Sequence, residues 1–290
     1  MEVLSDILGT LRTHGSVYFC DRRNPPWTMA FTNPETASFH LVRRGECWLS
    51  TANSTEKLGP GDLVFVESGL MHKLSSAHPH KSRLNSATEI LLMCGYCRFD
   101  THLHHPLIKN LQGVIVIRGE ELLLRPGLKS ILELLGTEFT SGRPGSEIVV
   151  NKLTEILLVE LIRINFGRSP ATGFIAALTD KQIAKALEQL HAAPHVQWTL
   201  EKLAGNTGMS RASLANRFKL LVGQTMFEYL TELRMQRARE LLRMTGDSVY
   251  KVANKVGYAS DLAFTKTFRR VVGMTPVAYR KNAQLKTETR

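Results

Sequence analysis

Apolar residues change their spacing along this chain. Between residues 1 and 110 they fall in short runs rich in Val, Phe and Leu, among them "ASFHLVRRGECWLSTA", "EKLGPGDLVFVES" and "EILLMCGYCRF". Runs of that make-up predict strands, and Arg44-Gly45, Gly59-Pro60-Gly61 and Ser68-Gly69 mark tight turns between them. Several short strands so punctuated predict a β-sandwich or barrel. From residue 128 the spacing becomes helical. "LKSILELLGTEF" and "SEIVVNKLTEILLVELIRIN" predict two helices, the second with a stripe of Ile148, Val149, Lys152, Leu153, Ile156, Leu157, Glu160 and Ile164. Such a helix either covers the barrel or pairs with its copy in another subunit.

"FGRSPATG", residues 166–173, has the make-up of a linker, and Thr179 with Gln182 reads as a capping box that opens the next helix. The expected division is therefore residues 1–165, a linker at 166–179, and residues 180–290. The fold class expected is α+β: a β jelly roll with helices at its C-terminal end, then an all-α domain.

That last domain contains one pattern twice. Ser210, Phe218, Val222, Gly223, Thr225 and Tyr229 recur 50 residues later as Ser260, Phe268, Val272, Gly273, Thr275 and Tyr279. In the first copy Thr199 caps a short helix that Gly208 ends, and Ser210 caps a second. Leu214, Phe218 and Leu221 then face inward, leaving Arg211, Ala212, Ala215, Asn216 and Lys219 outward. In the second copy Asp247 or Ser248 caps the first helix, Gly257 makes the turn, and Ser260 caps the next. There Phe264, Phe268 and Val271 face inward while Asp261, Leu262, Thr265, Lys266 and Arg269 face out. Thr275-Pro276 starts one more short helix. A short helix, a glycine turn and a second helix with a polar outer stripe is the helix-turn-helix plan, here at 199–221 and 248–271. "EYLTELRMQRARELLRM" joins the two units as a helix with one buried face.

Charge sharpens this picture. The net +11 is concentrated in residues 180–290, which hold 19 Lys and Arg against 9 Asp and Glu, leaving 18 against 17 for residues 1–179. A domain so unbalanced attracts polyanions such as phosphate backbones. The start "MEVLSDILGT" lacks the basic residues of a leader, and the most apolar stretch is interrupted by Lys152, Glu155, Glu160 and Arg163, so a cytoplasmic protein without a membrane partner is expected. Four cysteines are too few for a disulfide framework, as a reducing compartment implies.

"GYASDLAFTKTFRRVVGMTPVAYR" closely resembles the signature of the AraC/XylS family of transcriptional regulators, over about 110 residues from Asp180 onward. Gly257-Tyr258, Ser260, Phe264, Phe268, Arg269-Arg270, Gly273, Pro276 and Tyr279-Arg280 carry the likeness. It implies sequence-specific binding of double-stranded promoter DNA through Ala212, Ala215, Asn216, Leu262, Ala263, Thr265 and Lys266, and contact with RNA polymerase if the protein is an activator. Asn216 suits adenine, Lys266 suits guanine or phosphate, and the apolar positions suit thymine methyls.

"GDLVFVESGLMH", residues 61–72, resembles the second cupin motif, and "FHLVRRG" the end of the first. Metal cupins take two histidines and a carboxylate from the first motif, yet "PPWTMAFTNPETA" contains no His, and only His72 matches a ligand position. His40 with His72 makes at best a partial site, and "AHPH" (77–80) and "HLHH" (102–105) read as polar loops. No cofactor and no catalysis are therefore expected, the alternative being a metal-dependent cupin enzyme with an accessory nucleic-acid-binding domain. The sensor is expected to respond to a small molecule in the barrel mouth or to an oxidant. For the second, Cys20 beside Arg22 and Arg23, and Cys94 and Cys97 in "MCGYC", are the candidates; "YFC" and "CG" resemble family members that respond to reactive chlorine through cysteines, which implies that role for Cys94 by motif and Cys20 by position. Similar family members also dimerise through helices in the place of residues 146–165, so a homodimer is expected.

Overall fold

The computed structural model describes residues 3–10, 13–78, 89–99, 106–109, 113–167 and 173–288. Helix α1 (Val3–Thr10) precedes strands β1 (Thr13–Arg23), β2 (Thr28–Phe31), β3 (Thr36–Arg44), β4 (Cys47–Ser50), β5 (Thr55–Leu58), β6 (Leu63–Val66), β7 (His72–Ser75) and β8 (Ile90–Phe99). Helix α2 (Pro106–Lys109), strand β9 (Val114–Ile117) and helices α3 (Gly119–Leu123), α4 (Pro126–Ser141) and α5 (Ser146–Gly167) follow. The rest is helical: α6 (Phe174–Thr179), α7 (Lys181–Ala192), α8 (Leu200–Thr207), α9 (Arg211–Val222), α10 (Met226–Met244), α11 (Val249–Lys255), α12 (Asp261–Val272) and α13 (Pro276–Glu288). None of the described helices is long and apolar enough to cross a membrane.

Backbone packing divides these elements into two units, residues 13–101 with 111–167, and residues 1–12 with 102–110 and 168–290. The first is the β unit. Its strands form two antiparallel sheets in the orders β1-β8-β3-β6-β9 and β2-β7-β4-β5. The apolar runs of the sequence meet between them: Val42, Val64, Leu92 and Cys94 of one sheet face Leu49, Leu58 and Leu74 of the other. β3 lies between two partners and is buried from Ala37 to Val42 on both its faces, so Ser38 and His40 are buried polar residues in an otherwise apolar stretch.

Helix α5 covers the outer face of β1 and β8. The approach is close at Gly15, where a Cβ would lie 2.2 Å from Thr154 Cγ2, and the Gly15 N–H donates to Asn151 Oδ1 at 3.1 Å. The buried side of α5 is Val150, Leu153, Thr154, Leu157, Leu158 and Leu161, while Ile148, Lys152 and Ile156 of the expected stripe are exposed. Leu153, Leu157 and Ile164 of the stripe are buried, so the buried face overlaps the stripe that spacing suggested but is turned from its Ile148–Lys152–Ile156 edge.

The second unit differs from the expectations in detail. Helix α1, which lies within residues 1–165, packs on α7 and α10. The expected linker 166–179 is helical at both ends: α5 runs to Gly167, and α6 buries Phe174, Ile175 and Ala177. Thr179 closes α6, and α7 is capped by Asp180, whose Oδ1 accepts from the N–H of Gln182 at 3.1 Å and of Ile183 at 3.0 Å. An aspartate one residue later outcompetes the threonine because its carboxylate serves two orphan donors. The helix after Thr275 runs 13 residues, longer than expected.

Candidate nucleic-acid interface and ligand cavity

The duplicated pattern becomes two equivalent helix pairs, α8–α9 and α11–α12. Thr199 Oγ1 accepts from Lys202 N at 3.2 Å, Ser210 Oγ from Ser213 N at 3.2 Å, Ser248 Oγ from Lys251 N at 3.3 Å and Ser260 Oγ from Ala263 N at 3.4 Å. Ser248, and not Asp247, is therefore the cap; Asp247 pairs with Lys255 at 2.6 Å. At the turn of the second pair Gly257 has φ +86°, and a Cβ there would lie 2.5 Å from the carbonyl oxygen of His195. Only glycine fits both the left-handed backbone and that approach.

The repeated aromatics explain why Phe and Tyr recur together. Phe218 and Tyr229 rings lie 5.9 Å apart in an edge arrangement, and their counterparts Phe268 and Tyr279 lie 5.7 Å apart in the same way. Each pair fastens its second helix to the helix that follows. Phe264, Phe268 and Val272 then share a core with Met235, Ala238 and Leu242 of α10.

Of the residues expected to face outward on α9, Arg211, Ala212, Asn216 and Lys219 are exposed and Ala215 is half-buried. On α12, Asp261, Leu262, Ala263, Lys266 and Arg269 are exposed and Thr265 is half-buried. Arg211 leans on α8 through Glu201, 2.7 Å away with both side chains largely exposed. A pair so exposed is screened by solvent and yields readily to another anion. Sequence reasoning named no role for Arg270, which is also exposed on α12. Arg217 and Arg280 are anchors: Arg217 pairs with Asp180, and Arg280 donates to the carbonyls of Leu242 and Asp247 at the end of α10.

Behind this face lies a buried polar chain. Asp6 of α1 holds His191 Nδ1 at 2.5 Å through Oδ2 and Arg237 through Oδ1, and His191 Nε2 meets the Tyr229 hydroxyl at 2.6 Å. Burial works against the Asp6 charge, but His191 and Arg237 more than offset it and hold the carboxyl below its usual value. Burial, and then the Asp6 charge, push the Tyr229 phenol up.

In the β unit, a cavity of about 450 Å³ opens between the two sheets at one end of the jelly roll. Tyr18, Phe31, His72 and Tyr96 supply rings; Thr36, Ser38 and Arg98 supply polar groups. The register of β1 against β8 shifts between Val17 and Phe19, a bulge that places Tyr18 at the opening. His40 Nε2 and His72 Nε2 are 2.8 Å apart, and His72 Nδ1 donates to the Leu70 carbonyl at 3.0 Å. Burial keeps both imidazoles neutral, His40 most strongly. His72 must then accept at Nε2 from His40, which leaves His40 Nδ1 a buried acceptor without a partner. Among the described residues no three His, Cys, Asp or Glu converge as metal ligands. Residues 79–80 and 102–105 of the two His-rich stretches lie outside the described residues.

The cysteines are dispersed. Cys94 pairs across the ladder with Phe19 and Cys20 with Met93, so Cys20 and Cys94 lie on opposite faces of one sheet. Cys97, three residues beyond Cys94, also takes the face opposite to it. Burial raises the Cys94 thiol well above its ordinary value and pushes Cys97 up to about 12, with Glu155 adding to it. The cation at Cys20 is Arg43, whose Nη1 donates to Sγ at 3.7 Å, whereas Arg22 pairs with Glu89 and Arg23 lies over Phe19.

Comparison with known proteins agrees with both halves. Residues 2–167 match the cupin family model and residues 203–282 a helix-turn-helix domain model. A putative AraC-like transcription regulator of Streptomyces antibioticus is 30% identical over 97% of this chain and 99% of its own. The HTH-type transcriptional regulator AlkR of Acinetobacter baylyi is 26% identical over 98% of this chain and 100% of its own. Among solved structures, the DNA-binding domain of AdpA in complex with a target DNA is 32% identical over 37% of this chain and 96% of that one, with a TM-score of 0.36.

Proposed function

The chain belongs to the AraC-like transcription regulators, DNA-binding proteins with a helix-turn-helix domain, and from that premise we propose that its cupin domain senses a small molecule and thereby controls operator binding. Helices α9 and α12 enter successive major-groove segments of one duplex, with Arg211, Ala212, Ala215, Asn216 and Lys219 in one segment and Asp261, Leu262, Thr265, Lys266 and Arg269 in the next. The observation that carries the sensing half is the cavity between the sheets, whose 450 Å³ suits a small organic effector. Occupancy shifts the protein between states that bind DNA differently, the shift being limited by the effector's differential affinity for them.

The oxidant alternative has less support, since burial suppresses the thiolate of Cys94 and Cys97, and Cys20 and Cys94 do not share a face. The metal-enzyme alternative has less support among the described residues, where His40 and His72 spend a nitrogen on each other and Leu70 takes another. We further propose a cytoplasmic homodimer that buries Ile148 and Ile156 of α5; sedimentation of an Ile148→Glu, Ile156→Glu variant as a monomer, with wild type as a dimer, is the check. Contact with RNA polymerase follows if the protein activates. To test the sensing half, an operator reporter is compared in strains carrying wild type and a cavity-filling Ser38→Phe variant matched in abundance. Output that varies with growth medium only in wild type is expected; identical variation in both would remove the cavity from the account.

A further inference from the structure

The loop ahead of α8, residues 193–198, is tied first to its own helix pair. Trp198 Nε1 donates to the Ala193 carbonyl at 3.0 Å, the Lys202 ammonium of α8 lies 4.9 Å from the Trp198 ring centroid, and Thr199 caps α8. Arg234 of α10 grips the same loop with two donors of its fork, Nε to the Pro194 carbonyl at 2.7 Å and Nη2 to the Val196 carbonyl at 2.9 Å. The second pair repeats this device, since Arg280 of α13 donates to the carbonyls of Leu242 and Asp247 ahead of α11. Each grip orders one pair within itself.

The loop of the first pair also meets the turn of the second. Gln197 Nε2 donates to the Gly257 carbonyl at 2.7 Å, and the His195 carbonyl oxygen lies so near Gly257 that a Cβ there would be 2.5 Å away. Tyr258, next in that turn, offers its ring to the Arg234 guanidinium, 5.6 Å from the centroid, and meets the fully buried Phe264 of α12 edge-on at 5.7 Å. The chain itself joins the pairs through the 19 residues of α10, and a helix of that length, about 28 Å, can curve. Joined by α10 and again by the loop, the pairs close a ring of contacts. Tilting one pair against the other must then break the Gln197 bond or the Arg234 grip.

One base pair more or less between two determinants turns the second groove segment by about 35° and shifts it by about 3.4 Å. Helices held at a fixed angle do not follow such a step, whereas helices joined by α10 alone follow part of it. We infer that Gln197 and Arg234 are positioning residues for DNA reading: they brace the turn at Gly257–Tyr258 on the loop before α8, and so set the determinant spacing that α9 and α12 accept. This rests on both helices reading one duplex, but it can fail separately from that. The experiment uses the purified full chain at fixed salt and a duplex carrying the motif that the chain selects from genomic fragments, with versions one base pair longer and one shorter between the determinants. Wild type is expected to lose about tenfold in affinity on either altered duplex, the scale of one mismatched base pair. In Gln197→Ala and in Gln197→Ala, Arg234→Ala that discrimination should fall to about threefold or less, as the loss of one or two hydrogen bonds between the pairs allows. Arg234→Lys should keep part of what Arg234→Ala loses. Gln197 is exposed, so its single variant should melt with wild type. Wild-type affinity indifferent to spacing, discrimination unchanged in both variants, or affinity lowered in equal proportion on all three duplexes, as a merely loosened fold would give, overturns the inference. Lys266→Ala on the parent duplex separates the two failures. Weaker binding by Lys266→Ala with unchanged discrimination in the Gln197 and Arg234 variants keeps the two-helix reading and removes the brace. Undiminished binding by Lys266→Ala removes the two-helix reading, and the inference with it.

Discussion

Replacing Asp6 with Ala should loosen the helical unit and leave the β strands untouched. Asp6 is almost fully buried, and its two oxygens hold His191 and Arg237, one on α7 and one on α10. Truncation leaves an imidazole donor buried without its carboxylate acceptor and a guanidinium that keeps, among the described residues, Glu240 at 3.4 Å. Breaking a buried pair from one side costs about 3–5 kcal/mol, and the residual pairing of Arg237 argues for the lower end, about 3 kcal/mol. Native-state hydrogen exchange read by mass spectrometry reports the two units separately. Protection in peptides from α1, α7 and α10 should fall by about two orders of magnitude, as about 3 kcal/mol requires, while peptides from β3 and β6 keep theirs. Loss of protection in the strands with none in α7 and α10 would refute the placement of α1 with the helices. A pH arm follows from the same group. The Asp6 carboxyl titrates below its ordinary value of 3.8 in the folded state. Its contribution is therefore complete above that value and is lost as pH falls through the lower folded-state value, and Asp6→Ala should melt alike with wild type once the pH is below both.

Further outcomes follow from the other contacts. Lys266→Ala and Arg269→Ala should each weaken operator binding, and if Arg269 touches phosphate its loss should lower the slope of log affinity against log salt by about 1; unchanged binding in both would mean that α12 does not dock. Gly257→Ala forces a side chain into a left-handed backbone 2.5 Å from the His195 carbonyl and should cost at least about 1–3 kcal/mol in thermal denaturation. Gly95→Ala places a Cβ 2.3 Å from the Phe39 ring and 2.5 Å from the Ser16 carbonyl, so it should disrupt the β1–β8–β3 ladder and lower the melting temperature of the β unit. In the native protein an alkylating reagent should label Cys20 well before Cys47, Cys94 and Cys97, which are buried; equal labelling by peptide mass spectrometry would contradict the burial.

The helix pairs were legible because their signals are local. A serine, its acceptor N–H three residues on, and apolar residues at steps of three and four lie within one turn or two, and every cap from Thr199 to Ser260 follows them apart from the choice at 247–248. The 50-residue repeat added what locality lacks, since Phe218–Tyr229 and Phe268–Tyr279 are one contact written twice. Boundaries were less legible. Asp6 meets His191 across 185 positions, and nothing near "LSDIL" marks the aspartate as anything but an exposed helix residue. Gly and Pro around 166–173 have the make-up of a linker, but Phe174 opens a six-residue helix that buries Phe174, Ile175 and Ala177, a distinction that composition does not express. The cavity was legible only as an expectation of some pocket: Tyr18, Phe31, Thr36, His72 and Arg98 come from five strands and are adjacent only through ladder register. The period-two rule did bear on the cysteines, since a step of three along "MCGYC" puts Cys94 and Cys97 on opposite faces, whereas the bulge at Tyr18 that sets the face of Cys20 has no marker in the sequence.

The central claim is that α9 and α12 together read promoter DNA, and selection of genomic fragments by the purified full chain at fixed salt tests it most directly. The account predicts recovery of one motif with two short determinants about one helical turn, 10–10.5 base pairs, apart, the determinant read by α12 weakening in Lys266→Ala. Recovery of fragments with no shared motif, or of one determinant indifferent to Lys266, would contradict it.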